Sequence, residues 1–241
     1  MAEPRPGGPH LTQTTQRNGR PSWNDYSARW AALHGGVDPR RSSVPTRLWI
    51  RLAYGVGRGL SALRVAPDAI TVVGLLLSAA VPVVVLFGGW WLLAAAGLVL
   101  ASAVADSADG AVAVLTGRTS RLGAFTDAMA DRLSEAAWLL ALWLAGVPGI
   151  LVAACGALSW LHEYARARAA AAGMSGVGVV TVAERPTRVI LSVVALGLGG
   201  AASVVSDRLA AGVMTIVVAV WVLLGLLGGA RLLTAIRTAL R

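Results

Sequence analysis

The sequence predicts an all-α integral membrane protein: six transmembrane helices preceded by an N-terminal amphipathic juxtamembrane segment. Three observations predict it. Of 241 residues, 56% are hydrophobic and only 14% are charged, against about 45–50% and about 25% in ordinary soluble domains. From Ala69 to Ala105 there is no charge in 37 consecutive residues. All 21 cationic residues are arginine, and they gather at alternate ends of the apolar stretches. With a mean hydropathy of +0.67, such a chain would aggregate in water. A disordered chain, a disulfide-stapled module and most soluble enzymes are excluded. The single cysteine, Cys155, lies in an apolar run and allows neither an internal disulfide nor a thiolate metal cluster.

Residues 1–24 are rich in Pro, Gly, Thr, Gln and Arg and lack the apolar stretch of a signal peptide, so they read as a disordered tail. Residues 25–66 read as a basic amphipathic segment on the anionic inner leaflet. There Trp49, Ile50, Leu52, Leu60 and Leu63 alternate with Arg47, Arg51, Arg58 and Arg64. Residues 67–235 form the membrane domain.

A span needs about 20 apolar residues, so the uncharged run must break once. Gly88-Gly89 supplies the turn, and Trp90-Trp91 an interfacial anchor. Spans are expected at 69–88, 90–115, 122–144, 149–172, 186–205 and 208–230. Gly146, Pro148 and Gly149 mark one turn, and the glycine-bearing stretch Gly173–Ala183 a loop. With both termini cytoplasmic, every arginine except Arg132 and Arg208 falls at the inner side. The formal charge of +9 is then spent on the membrane surface, and no nucleic-acid partner is expected.

The acids carry the chemistry. Asp106 and Asp109 lie in the second span, Asp127 and Asp131 in the third, where ionisable groups are costly and mark function. Asp106, Asp109 and Ala113 share one helix face, with Gly110 beside them. Gly123, Asp127, Asp131 and Glu135 step by four along the next helix. At 1.5 Å per residue, Asp127 and Asp106 lie about 8 Å and about 14 Å inside the inner ends of antiparallel neighbours. Four carboxylates converging in low dielectric must be partly protonated, as in a proton-driven transporter, or held by divalent cations. An all-oxygen set without His or Cys suits Mg²⁺ or Mn²⁺, and a pair of such ions would clamp a phosphoanhydride.

The pattern Asp106-x2-Asp109-Gly110-x2-Ala113-x9-Gly123-x3-Asp127-x3-Asp131 resembles the signature of the CDP-alcohol phosphatidyltransferases. These are six-helix, usually homodimeric membrane enzymes that move a phosphatidyl group from a CDP-linked lipid to an alcohol. The resemblance implies that Asp106, Asp109 and Asp127 ligate two metal ions, with Asp131 contributing and acting as general base. It implies that the metals hold the diphosphate of CDP-diacylglycerol. Gly110, Ala113 and Gly123 would give the cytidine room. The sequence Pro67-Asp68-Ala69-Ile70-Thr71 is similar to a family Pro-Asn-x-x-Thr, which brings Thr71 to the same site. One position departs: Val114 stands where the family has arginine, and Arg118, four residues on, is expected to reach the same place. Restoring arginine at 114 is expected to tighten nucleotide binding.

For the acceptor, Arg166, Arg185, Arg188 and Arg231 resemble the basic positions of the phosphatidylinositol-phosphate synthase branch, which hold a phosphorylated inositol. Arginine forks onto phosphate, although inner-end arginines also serve as membrane anchors. Glycerol phosphate, as in a phosphatidylglycerophosphate synthase, is the alternative acceptor. A cation- or proton-coupled transporter is the rival class, but the outer halves of the spans carry almost no ionisable residues for a relay. Glu135 is expected to pair with Arg132, and His162 with Glu163 as a buried pair.

Overall fold

Local chemistry sets where the helices start and stop in this computed structural model, which describes residues 21–33, 36–174 and 181–241. Helices α1 (Trp23–Leu33) and α2 (Val44–Ala62) precede six longer helices. These are α3 (Pro67–Val85), α4 (Trp91–Thr116), α5 (Arg121–Leu144), α6 (Gly149–Ala171), α7 (Arg185–Ala202) and α8 (Asp207–Ala239). There is no strand among the described residues. Proline opens α2, α3 and α7 within their first two positions, where its missing N–H costs nothing. Ser120 and Ser206 cap α5 and α8 by accepting from the N–H groups of Gly123 and Leu209, at 2.9 and 3.1 Å. Gly117, with φ +67°, closes α4 in the left-handed conformation. The break expected at Gly88-Gly89 is present, with φ values of +65° and +55°.

The six long helices follow the order read from the sequence and begin and end within three residues of it, except that α8 runs nine residues past the expected end at 230. Of the expected tail 1–24, residues 1–20 lie outside the described residues, and α1 begins at Trp23. The expected loop 173–183 falls partly on residues 175–180, which also lie outside. Helices α3, α4 and α8 are long and apolar enough to cross a bilayer. α5 and α6 have similar length but carry Asp127, Asp131, Arg132, Glu135, His162, Glu163, Arg166 and Arg168.

Helix α4 is the axis of the bundle, packing on α2, α3 and α7, while α8 closes against α6 and α7. The main core runs through Val81, Val99, Trp138, Leu142, Leu196, Met214 and Trp221. The indole of Trp138 donates to Ser78 Oγ at 3.2 Å, tying α5 to α3. Cys155 is fully buried, its Sγ 3.6 Å from the Val218 carbonyl, where α6 meets α8. A Cβ on Gly57 would stand 2.8 Å from that of Ala111, so glycine lets α2 lie directly on α4. The outer faces expose Leu76, Leu86, Ile216, Leu223 and Leu227. Apolar residues on that scale have a favourable neighbour in lipid, not in water.

Candidate active site

Helices α4 and α5, joined by residues 117–120, both pack on α3 rather than along each other as expected, and their acids Asp106, Asp127 and Asp131 converge. Asp106, Asp127 and Asp131 are each half-buried, and each offers a carboxylate oxygen within 4.8 Å of the others. Three carboxylates this close repel strongly where water is scarce. Among the described residues one cation pairs with them: Arg185, at the start of α7, through Nη1 with Asp106. Its Nη2 lies 2.7 Å from Asp131 Oδ1. One guanidinium against three carboxylates leaves the cluster anionic, and its hard oxygen donors fit a divalent cation.

Asp109, the fourth acid, is buried and lies outside this trio. Thr71 Oγ1 donates to its Oδ2 at 2.5 Å, and the same hydroxyl lies 3.2 Å from the Pro67 carbonyl. With one proton, Thr71 serves one acceptor at a time, and Asp109 holds α3 and α4 together through it.

Beside the acids opens a cavity of about 390 Å³, lined in part by Asp106, Asp109 and Asp127 but not by Asp131. Thr71, Gly110, Ala113, Arg118 and Gly123 all line it. A Cβ on Gly110 would meet no atom within 4 Å, so a side chain there would project into open space. Val114 is only 7% exposed, in an apolar cluster with Tyr26, Ile50, Ala53, Ala111 and Leu115. Val114 also lines the cavity, so an arginine there has two destinations, the cavity or the apolar seam between α1, α2 and α4, where burial of its charge is costly.

The predicted phosphate-binding arginines lie mostly in a charge network on α5, α6 and α7. Arg188 is 1% exposed. Its guanidinium donates to Glu135 at 3.1 Å, to Glu163 at 2.8 Å and to the Ala183 carbonyl at 2.9 Å. It is paired with three acceptors of its own chain. Arg166 Nη2 donates to Glu184 Oε1 at 2.6 Å. Arg231 is exposed on α8, one turn beyond Gly228. There a Cβ would come within 2.4 Å of that of Ala183, so the α8 face carrying Gly228 is packed against the segment before α7.

Glu135 pairs with Arg132 at 2.9 Å, as expected, but shares the carboxylate with Arg188. The expected His162–Glu163 pair is corrected. His162 Nε2 faces Thr181 Oγ1 at 3.3 Å and Glu184 at 4.0 Å, while Glu163 turns to Arg188. Neighbours in sequence on one helix point about 100° apart, so adjacent residues pair poorly. The sequence reading missed Thr181 and Glu184. Their only signal was a lone acid ahead of Arg185.

The sequence model of the CDP-alcohol phosphatidyltransferase family matches residues 64–227. The chain belongs to that family. As a CDP-alcohol phosphatidyltransferase it is a membrane enzyme of phospholipid synthesis, and its Asp cluster makes it a user of divalent metal. It is 33% identical over 142 residues to the archaetidylinositol phosphate synthase of Pyrococcus horikoshii, covering 58% of this chain and 73% of that one. It is 31% identical over 157 residues to the phosphatidylinositol phosphate synthase of Mycolicibacterium smegmatis, covering 62% and 69%. Among solved structures, the Mycobacterium tuberculosis phosphatidylinositol phosphate synthase with CDP-DAG bound is similar at a TM-score of 0.59 and 26% identity. That likeness covers 78% of this chain and 95% of the other. The same synthase in complex with manganese and citrate gives a TM-score of 0.61 at 27% identity, covering 78% and 90%.

Proposed function

We propose that this phosphatidyltransferase moves the phosphatidyl group of CDP-diacylglycerol onto a hydroxyl of inositol phosphate and releases CMP. The observation that carries the reading is the trio Asp106, Asp127 and Asp131, within 4.8 Å of one another, two of which, Asp106 and Asp127, line the cavity that Gly110 and Gly123 also line. Inositol phosphate is favoured over glycerol phosphate because the relatives named above act in inositol-lipid synthesis.

Asp106, Asp109, Asp127 and Asp131 would hold two ions, Mg²⁺ or Mn²⁺. When bound, the ions neutralise the diphosphate and polarise the phosphorus under attack. Gly110, Ala113 and Gly123 admit the nucleotide against the backbone, with Thr71 and Arg118 at the same cavity. Asp131 takes the proton of the acceptor hydroxyl as its oxygen bonds to the phosphatidyl phosphorus. The bond from that phosphorus to CMP breaks in line. Arg185, next to Asp131, orients the acceptor phosphate together with Arg166 and Arg231. Arg188 supports them as a buried strut. The six long helices α3 to α8 span the cell membrane with both termini cytoplasmic, α2 lies on the inner leaflet, and the enzyme acts as a homodimer. These placements put the carboxylates in the inner half, where a cytosolic CDP headgroup can reach them.

The test is purified protein with CDP-diacylglycerol, Mg²⁺ and either inositol phosphate or glycerol phosphate, followed by CMP release. Turnover is expected with inositol phosphate, to vanish in EDTA and to return with Mg²⁺ or Mn²⁺. Release undiminished by chelation would remove the metal reading, and turnover with glycerol phosphate alone would reassign the acceptor.

Val114→Arg probes the cavity wall. A guanidinium placed among Tyr26, Ile50 and Ala53 loses hydration without a partner. Weaker CMP binding and a lower unfolding temperature are expected. Tighter binding would mean that the arginine reaches the cavity and leaves the seam intact.

A further inference from the structure

Helix α1 lies N-terminal of the family-matched segment 64–227, yet it meets the active-site cavity. Tyr26, Trp30 and Leu33 line the same cavity as Asp106, Asp109 and Asp127. The helix is anchored there by aromatic packing and not by chance proximity. Tyr26 is 2% exposed and packs with Val114 and Ala111 of α4 and with Ile50 and Ala53 of α2. Its ring centroid lies 5.2 Å from that of Tyr54, and Trp23 meets Tyr54 edge-on at 5.5 Å. The Tyr54 hydroxyl donates to the Pro21 carbonyl at 3.1 Å, and the Arg51 guanidinium stands 5.3 Å over the Trp23 ring. Trp30, one helical turn beyond Tyr26, is half-buried at the rim of the apolar cluster and faces the cavity.

We infer that α1 is a wall of the nucleotide pocket and that Trp30 is a binding residue on which the nucleobase of the CDP-lipid stacks. The cavity is lined by two chemically different sets of side chains: the carboxylates Asp106, Asp109 and Asp127, which suit a metal-bound diphosphate, and the rings of Tyr26, Trp30 and Trp49 beside an apolar seam. A nucleoside diphosphate has the matching polarity, because its base is a flat π-system joined through a sugar to the charged phosphates. Arg166, Arg185 and Arg231 do not line the cavity, so the acceptor phosphate proposed for them is held outside it. The inference rests on the proposed use of a CDP-linked lipid and names the part of the chain that grips its base.

The test uses the full-length protein and its Trp30→Ala and Trp30→Phe variants. It reads CMP affinity by calorimetry in the presence of Mn²⁺, Mn²⁺ affinity alone, and the KM for CDP-diacylglycerol. Trp30→Ala is expected to weaken CMP binding and raise that KM by about tenfold, the size of a lost base–aromatic stack. The effect falls on KM rather than kcat and leaves Mn²⁺ affinity at the wild-type value, which reports an intact fold. Trp30→Phe restores most of the loss. Wild-type CMP affinity in Trp30→Ala, or an equal loss of Mn²⁺ affinity, would overturn the stacking role. A wild-type protein that binds no CMP would instead remove the underlying functional reading.

Discussion

Asp131→Asn is expected to lower kcat by about 10²–10⁴-fold, the usual contribution of a general base, with most of the metal-dependent CDP-lipid affinity retained. The substitution keeps volume and one oxygen but removes charge and basicity. Asp106→Asn should act differently, because Asp106 belongs to the carboxylate trio and also lines the nucleotide cavity. Metal and nucleotide binding should fail together there. Measuring kcat and CDP-lipid binding on both variants separates the roles. If Asp131→Asn loses binding as completely as Asp106→Asn, Asp131 is chiefly a metal ligand.

Arg188→Met is the largest expected loss of stability. It would take from Glu135, 2% exposed, and from Glu163 the guanidinium that joins α5, α6 and α7, leaving Arg132 as their remaining partner at 2.9 and 4.0 Å. Removing one partner of a buried pair costs about 3–5 kcal/mol, and Arg132 holds the loss near the lower figure. The unfolding temperature in detergent should fall by roughly 10 °C. Adding Glu135→Gln should recover part of it, because Arg132 then has one carboxylate, Glu163, to balance instead of two. A normal unfolding temperature with a raised KM for the acceptor would return Arg188 to the phosphate site.

What the sequence made legible follows the range over which residues act. The helices could be read because an uncharged run has only one place to break, and Gly88-Gly89 breaks it with positive φ. The acid stripe could be read because Asp127 and Asp131 are one turn apart on a helix whose period is known. The partners of those acids were out of reach. Arg185 meets Asp106 across 79 residues, and Arg188 meets Glu135 across 53. Those distances close only once α7 has packed on α4 and α5, and no local pattern encodes that docking. The arginines of α6 and α7 therefore looked like anion ligands, while in the folded chain Arg166, Arg185 and Arg188 already hold carboxylates. Helix α1 was hidden for a related reason. Its Trp and Tyr residues have meaning only against Tyr54 and Val114, which belong to other helices.

Cys155 has a practical consequence for topology. As the sole thiol of the chain, sealed between α6 and α8, it is shielded from aqueous reagents while the bundle is folded. A cysteine introduced at any loop can therefore be labelled in the otherwise native protein, without first deleting the endogenous one. Impermeant maleimides applied to intact cells and to inverted vesicles would then report, loop by loop, which side of the bilayer each connection faces. The wild-type chain serves as its own blank.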